Sequence, residues 1–325
     1  TGALVPTLFP DAQPAVIRLL KLLLALVILG LGATVAAAWW LQRPLQMPDA
    51  VSAEAPLEVT IAPGTSARAV ADTLVKAGVQ TPSALLYAWF RLSGDSRKIK
   101  AGSYELAPGT TPASLLSKLV RGEQALRSLT LLEGWNIRQV LQAVRSSPDL
   151  TQDIDGLSMA DLMARIGYPG RHPEGQFFPD TYRMVKHTPA SAVLRQAAQA
   201  MEQQVNAVWA QRAPDSPLRS PYEALILASI VEKETGLESD RAMVAGVFSN
   251  RLRIGMRLQT DPSVIYGLGE RFDGNIRRSD LQNDTPYNTY TRAGLPPTPI
   301  AMPGKAALLA AVQPAISQAL YFVAR

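Results

Sequence analysis

The spacing of apolar and polar positions changes along this chain, and each change predicts a different element. Residues 22–41 are twenty positions without a charge, built from Leu, Ala, Val, Ile and Gly and ending in Trp39 and Trp40, which predicts a membrane-spanning helix. A cleaved signal peptide is the competing assignment. The run is longer than an ordinary signal region, however, and Trp39-Trp40-Leu41-Gln42 is not a small-residue cleavage site. Arg18 and Lys21 precede the run while Asp49, Glu54 and Glu58 follow it. That asymmetry places residues 1–21 in the cytoplasm and the rest outside that membrane. Residues 42–56, polar and Pro-containing, read as a linker.

Beyond the linker the pattern repeats. Ala62-Pro63-Gly64-Thr65 returns as Ala107-Pro108-Gly109-Thr110, and Leu74-Val75-Lys76 as Leu119-Val120-Arg121, both at an offset of 45. Each copy predicts a short strand (57–61 and 103–106), a Pro-Gly turn and an amphipathic helix. Residues 57–125 therefore read as one small module that looks like the LysM-like arrangement of glycan-binding modules. Coincidence is the alternative, because Pro-Gly-Thr is a common way into a helix. From Ser128 helices alternate with turn-rich aromatic segments, among them Leu131-Leu132-Glu133-Gly134-Trp135 and Glu174-Gly175-Gln176-Phe177-Phe178-Pro179-Asp180-Thr181-Tyr182. Rings and polar groups mixed on a loop suit the faces and hydroxyls of a sugar, and equally suit local core plugs. A helical stretch follows over 190–212. Residues 126–325 read as a larger mixed domain, and the fold class is α+β.

Composition changes this picture little. The 325 residues are 47% hydrophobic and 18% charged, apolar for a soluble protein, and the excess sits in residues 22–41. The formal charge of +5 is spread out, without a basic stripe interleaved with aromatics, so nucleic-acid binding is disfavoured. Cysteine is absent, which removes thiolate chemistry. His172 and His187 lack metal-ligand spacing, and no phosphate-binding Gly loop or nucleophile elbow is present. No metal and no cofactor are expected. Carboxylate chemistry remains.

The strongest carboxylate signal is Ile226-Leu227-Ala228-Ser229-Ile230-Val231-Glu232-Lys233-Glu234. Ser220 as N-cap, Pro221 at the first helical position and Glu223 three residues after the cap predict the start of a helix, and Gly236 its stop. Glu232 and Glu234 then share the last turn about 200° apart, so only one can face a given cleft. The negative end of the helix dipole, with Leu227 and Ile230 on the Glu234 side, would push that carboxyl group up and make it a proton donor. A solvated helix end fits the same window. Downstream, Glu238-Ser239-Asp240 opens a helix that Gly255 closes, and Asp261 can cap one beginning at Pro262, leaving Gln259 and Thr260 as ligand contacts. Tyr287-Asn288-Thr289-Tyr290 precedes the stiff loop Gly294-Leu295-Pro296-Pro297-Thr298-Pro299-Ile300, which cannot be a central strand.

Several of these runs together resemble the endolytic murein transglycosylase (YceG-like) family: residues 228–235, Val247-Phe248-Ser249-Asn250-Arg251-Leu252, Met256-Arg257-Leu258-Gln259-Thr260-Asp261-Pro262, Tyr287-Asn288-Thr289-Tyr290 and Gly294-Leu295-Pro296-Pro297. Glu133-Gly134-Trp135 and Phe178-Pro179-Asp180-Thr181-Tyr182 also look like that family's motifs, and the match spans residue 57 to the end. The resemblance implies a bacterial inner-membrane lyase that cuts nascent peptidoglycan strands, with Glu234 as the catalytic acid and base and 1,6-anhydro-muramyl ends as product. The substrate contacts expected around Glu234 are Gln259, Thr260, Asp261, Tyr287, Asn288, Tyr290, Glu174 and Tyr182, and the resemblance further implies cell-wall synthesis enzymes such as penicillin-binding polymerases as partners. A lysozyme-like hydrolase would need a second acid, for which Asp261, Asp284 and Glu174 are available; a non-catalytic glycan-binding scaffold is the other alternative. Family members usually continue past the strand-like Leu320-Tyr321-Phe322-Val323 through a His-containing segment. A trimmed chain is therefore expected at its end, and at its Thr1 start.

Overall fold

The computed structural model describes residues 14–322 and divides into two units that meet in sequence at Ala125 and Leu126. The first opens with α1 (Pro14–Gln42). Its Leu, Val and Ile side chains from Leu19 to Val35 are exposed by half or more, as expected of a helix that only lipid would cover. Its twenty-residue apolar run rises about 30 Å, the thickness of a bilayer's hydrocarbon core. The Arg43 guanidinium lies 3.5 Å from the centre of the Trp39 ring at the end of the run.

Next come β1 (Leu57–Ile61), α2 (Ala67–Ala77), α3 (Ser83–Leu92), β2 (Gly102–Leu106) and α4 (Pro112–Arg121). The two strands lie at the offset of the sequence echo and pair antiparallel with Val59 opposite its own counterpart Tyr104. The two copies are thus arranged about a local two-fold. Their turns match atom for atom: Thr65 and Thr110 donate from backbone N–H and hydroxyl to Ala62 and Ala107, and Gly64 and Gly109 take positive φ. Pro at the second position and a left-handed Gly at the third is what a type II turn requires. Ser66 and Thr111 cap the helices that follow. Val59, Val70, Leu74, Tyr104, Leu115 and Leu119 form the core. Two features differ from expectation. Helix α3, inserted between the copies, adds Leu86 and Phe90 to that core. The expected linker is not free chain, because Leu45 is buried there, its N–H bonded to the Thr110 carbonyl at 2.8 Å.

The second unit runs β3 (Leu126–Thr130), α5 (Ile137–Ser146), β4 (Leu150–Thr151), α6 (Met159–Arg165), β5 (Thr181–Val185), β6 (Thr188–Pro189), α7 (Ala190–Trp209), α8 (Pro221–Glu234), α9 (Glu238–Arg253), α10 (Asp261–Leu268), α11 (Arg278–Gln282) and α12 (Lys305–Val312). Strands β3 and β5 pair antiparallel, and β4 and β6 form a two-residue parallel bridge. Helix α7 joins two cores: its first half packs with α5, α6 and the β3–β5 pair, its second half with α8, α9 and α12. Every residue of α8 from Ala224 to Val231 is buried. A helix apolar on all sides belongs at the centre of a bundle, so only its ends reach functional groups.

Candidate active site

The start of α8 is as the sequence predicts at Ser220, whose hydroxyl accepts from the Glu223 N–H, while the Glu223 carboxylate turns back to the Arg219 N–H. Its end is not. Gly236 is not in the left-handed region, and the helix stops because Thr235 is extended (φ −145°, ψ 131°), with its hydroxyl accepting from the Leu237 N–H. Helix α9 ends as expected at Gly255 (φ 69°), the Gly255 N–H bonding Leu252 and the Met256 N–H bonding Arg251, a Schellman closure.

Glu232 and Glu234 point to different surroundings. Glu232 is enclosed, accepting from the Gly304 N–H at 2.9 Å and lying 3.5 Å from the Arg241 guanidinium, which also approaches Glu133 at 3.9 Å. Glu234 is half-buried, and its carboxylate accepts from the Thr260 hydroxyl. Burial pushes both acids above the ordinary carboxylate range. For Glu234 the Asp261 charge adds to the push, against the Thr260 bond and the Arg251 charge.

Thr260 is itself fixed. Its N–H donates to the Thr289 hydroxyl at 3.0 Å, its carbonyl accepts from Ser263 at 2.9 Å, and the Gln259 N–H reaches the Thr289 carbonyl at 3.1 Å. Gln259 is exposed with φ 49°, a conformation that non-glycine residues seldom adopt and that a functional loop can retain. Asp261 does not cap α10. Thr260 occupies the N-cap position, Asp261 is the first helical residue, and its exposed carboxylate accepts the Tyr290 hydroxyl at 2.5 Å. The expected capping role gives way because Tyr290 offers that carboxylate a charge-assisted bond outside the helix.

Other expected contacts sit elsewhere. Asn288 is buried, its amide donating to the carbonyls of Asp280, Leu281 and Asn283 and accepting from the Tyr290 N–H; it shapes the loop that carries Tyr290. Tyr182 is in the core of β5, donating to the Phe178 carbonyl at 2.6 Å. Glu174 is fully buried, accepting from the Ile137 N–H that opens α5 and from the Tyr266 hydroxyl at 3.1 Å, and burial pushes it up to about 7. Tyr287 bonds Thr298 at 2.8 Å and packs edge-on to Tyr266. Asp284 is held down to about 2 by Arg292 and Thr291, which leaves it no acid role. Of the acids available to Glu234 as a partner, Asp261 is the one whose charge reaches it.

Arg251, Thr289 and Ser263 were not singled out from the sequence. Arg251 is 6% exposed and donates to the carbonyls of Leu258 at 2.5 Å and Leu320 at 2.7 Å, so it ties α9 to the Gln259 loop and to the last described residues. Those residues are not a strand; they lie along α9, with the Phe322 ring edge-on to Phe248 at 5.7 Å. The available signal was Arg251's place among the runs that carried the family resemblance.

The YceG-like family profile matches residues 59–325, which is most of the chain and all of this site. The chain belongs to the YceG-like family. Among its relatives, the endolytic murein transglycosylase of Bacillus subtilis is 29% identical over 311 residues, covering 90% of this chain and 85% of its own length. That of Streptococcus pneumoniae is 28% identical over 304 residues, covering 82% of this chain and 54% of its own. A crystal structure of a yceG-like protein from Listeria monocytogenes, 29% identical, superposes with a TM-score of 0.50 over 84% of this chain and 94% of its own. In this YceG-like chain, Glu234, Thr260, Asp261 and Tyr290 are thus brought together at the exposed end of a buried helix.

Proposed function

We propose that this protein is a membrane-anchored lytic transglycosylase that cuts peptidoglycan glycan strands internally. The observation that carries the proposal is Glu234 itself: a carboxyl group pushed up by burial at a helix C-terminus, oriented by one hydroxyl and standing beside Asp261 and Tyr290. Curated relatives named endolytic murein transglycosylases support it. Protonated Glu234 gives its proton to the glycosidic oxygen between N-acetylmuramic acid and N-acetylglucosamine, and the C1–O bond breaks. The resulting carboxylate then takes the proton of the C6 hydroxyl on the same muramyl residue as O6 bonds to C1, closing the 1,6-anhydro ring and regenerating the acid. The Asp261 charge adds to the burial that raises Glu234 and so helps keep it protonated before the step. The reading extends to a cytoplasmic N-terminus with α1 spanning the inner membrane, to a LysM-like role for the first unit, and to cell-wall synthesis enzymes as neighbours.

A hydrolase is the second reading, favoured by the proximity of Asp261. Mass spectrometry of un-crosslinked glycan strands decides among these. Anhydro-muramyl ends from the unmodified protein, absent with Glu234→Gln, are expected. Ordinary reducing ends would mean a hydrolase using Asp261, and no cleavage by either protein would leave a glycan-binding scaffold.

A further inference from the structure

The first unit is joined to its apolar helix without a spacer. Trp40, in the last turn of α1, packs against the same core as Val59, Leu74 and Tyr104. Leu45 is buried in that core, four residues past the end of the apolar run and so at most about 14 Å of extended chain from it. A headgroup layer is about 5–8 Å thick on each side of the hydrocarbon. The unit therefore starts at the surface of any bilayer that α1 crosses.

Helix α3 is fixed beside that junction. The Gln80 N–H, just before it, donates to the Gln46 carbonyl at 2.8 Å, and the Trp89 indole N–H donates to the Pro112 carbonyl at 3.2 Å, two residues from the Thr110 carbonyl that holds Leu45. Leu86 and Phe90 turn inward. Leu85, Trp89 and Leu92, spaced four and three apart, share a different side of the helix. Leu85 is 43% and Leu92 85% exposed, with Trp89 half-buried between them. Beyond α1, the other large hydrophobic side chain exposed among the described residues of this unit is Val75, at 37%. At the end of α3, Arg91 and Arg97 are exposed and make no ion pair among the described residues, whereas Lys98 is held by Asp95 at 2.8 Å. An apolar stripe with a tryptophan, ending in free guanidinium groups, is the composition of a helix that lies in a membrane interface.

We infer that α3 is a second membrane contact, which lays Leu85, Trp89 and Leu92 among the headgroups of the leaflet where α1 ends, with Arg91 and Arg97 reaching anionic phosphates. The inference rests on α1 crossing a bilayer and adds a surface that the anchor alone does not require. Lipid is the occupant because α1 already brings the stripe to the bilayer surface, so covering it needs no second molecule to be captured from solution. One anchor leaves the unit free to tilt about the helix. Two contacts hold one face of it to the membrane.

The chain has no cysteine, so a single introduced one carries an environment-sensitive dye alone. The full chain is placed in vesicles of phosphatidylethanolamine and phosphatidylglycerol and labelled in turn at Leu92→Cys, at Leu31→Cys in α1, and at Ala62→Cys, an exposed position just past the end of β1 that pairs with Gly102, away from the Thr110 turn. Lipids with a nitroxide at headgroup depth are expected to remove about half the emission of the Leu92→Cys label and about a tenth of that of the Ala62→Cys label, and adding Leu85→Glu to lower the quenching at position 92 about twofold. Three results would overturn the inference: equal quenching at positions 92 and 62, quenching that ignores Leu85→Glu, or a blue-shifted dye at position 92 that headgroup nitroxides do not reach. The second would assign the signal to the dye itself, and the third would cover the stripe with protein. The Leu31→Cys label is read with a nitroxide in mid-chain. Quenching there beside none at position 92 would remove α3 from the interface while leaving α1 in the membrane, whereas no quenching there would sink the anchor and this inference with it.

Discussion

The last turn of α8 sends two glutamates into two regions, and both carboxyl groups are pushed up by burial. On one side Glu232 meets a backbone donor from Gly304 and the guanidinium of Arg241, with Glu133 completing a closed cluster. On the other, Glu234 meets one hydroxyl, a like charge from Asp261 and an open approach. A raised carboxyl group is therefore not enough to mark an acid catalyst. A charge partner makes the group structural, whereas a single orienting hydroxyl leaves its proton available.

The sharpest way to break this contrast is Glu234→Gln. Its initial rate of anhydro-end formation should fall by about a thousandfold, with the melting temperature kept or raised. Glu232→Gln should do the reverse: it removes a carboxylate partner of a buried guanidinium and should cost about 2 kcal/mol in denaturant unfolding, while the rate per folded molecule stays within about threefold. A stable but inactive Glu232→Gln would reverse the assignment of roles. Thr260→Val removes one hydrogen bond and should lower the rate about tenfold. Because that bond favours ionised Glu234, its loss should also move the falling basic limb of the pH–rate profile to higher pH. The smallest effect is expected from Asp261→Asn. Its charge pushes Glu234 up, and a general acid works only while protonated, so neutralising it should move the basic limb to lower pH. A basic limb that ignores both substitutions would mean that Glu234 is not the titrating acid.

Much of this contrast could be read from the chain, in proportion to how local its physics is. The 200° separation of Glu232 and Glu234 follows from helix geometry alone, and the Ser220 cap from side-chain chemistry. The repeat at an offset of 45 located β1 and β2 because Pro-Gly turns and Ser or Thr caps are short-range devices. Residues whose roles depend on partners far away in sequence were misjudged. Asp261 looks like a cap until Tyr290 is brought beside it, and Asn288 looks like a ligand until its amide is seen holding three carbonyls of its own loop. Arg251 joins segments that nothing in its neighbours connects. Gly246 shows the same dependence on a distant partner: a Cβ there would come within 2.7 Å of the Ala315 carbonyl, a contact between α9 and a segment 69 residues on.

By itself the sequence determined the apolar helix of residues 22–41, the paired strand-turn-helix copies and an acid at the end of a buried helix, because hydrophobic period, turn stereochemistry and capping act over a few residues. Only the tertiary structure showed that Glu232 is held by Gly304 and Arg241 while Glu234 meets the Thr260 hydroxyl, and that Asp261 rather than Glu174 or Asp284 stands beside Glu234. Desolvation and charge pairing depend on which distant groups arrive at the same place, and no local pattern records that.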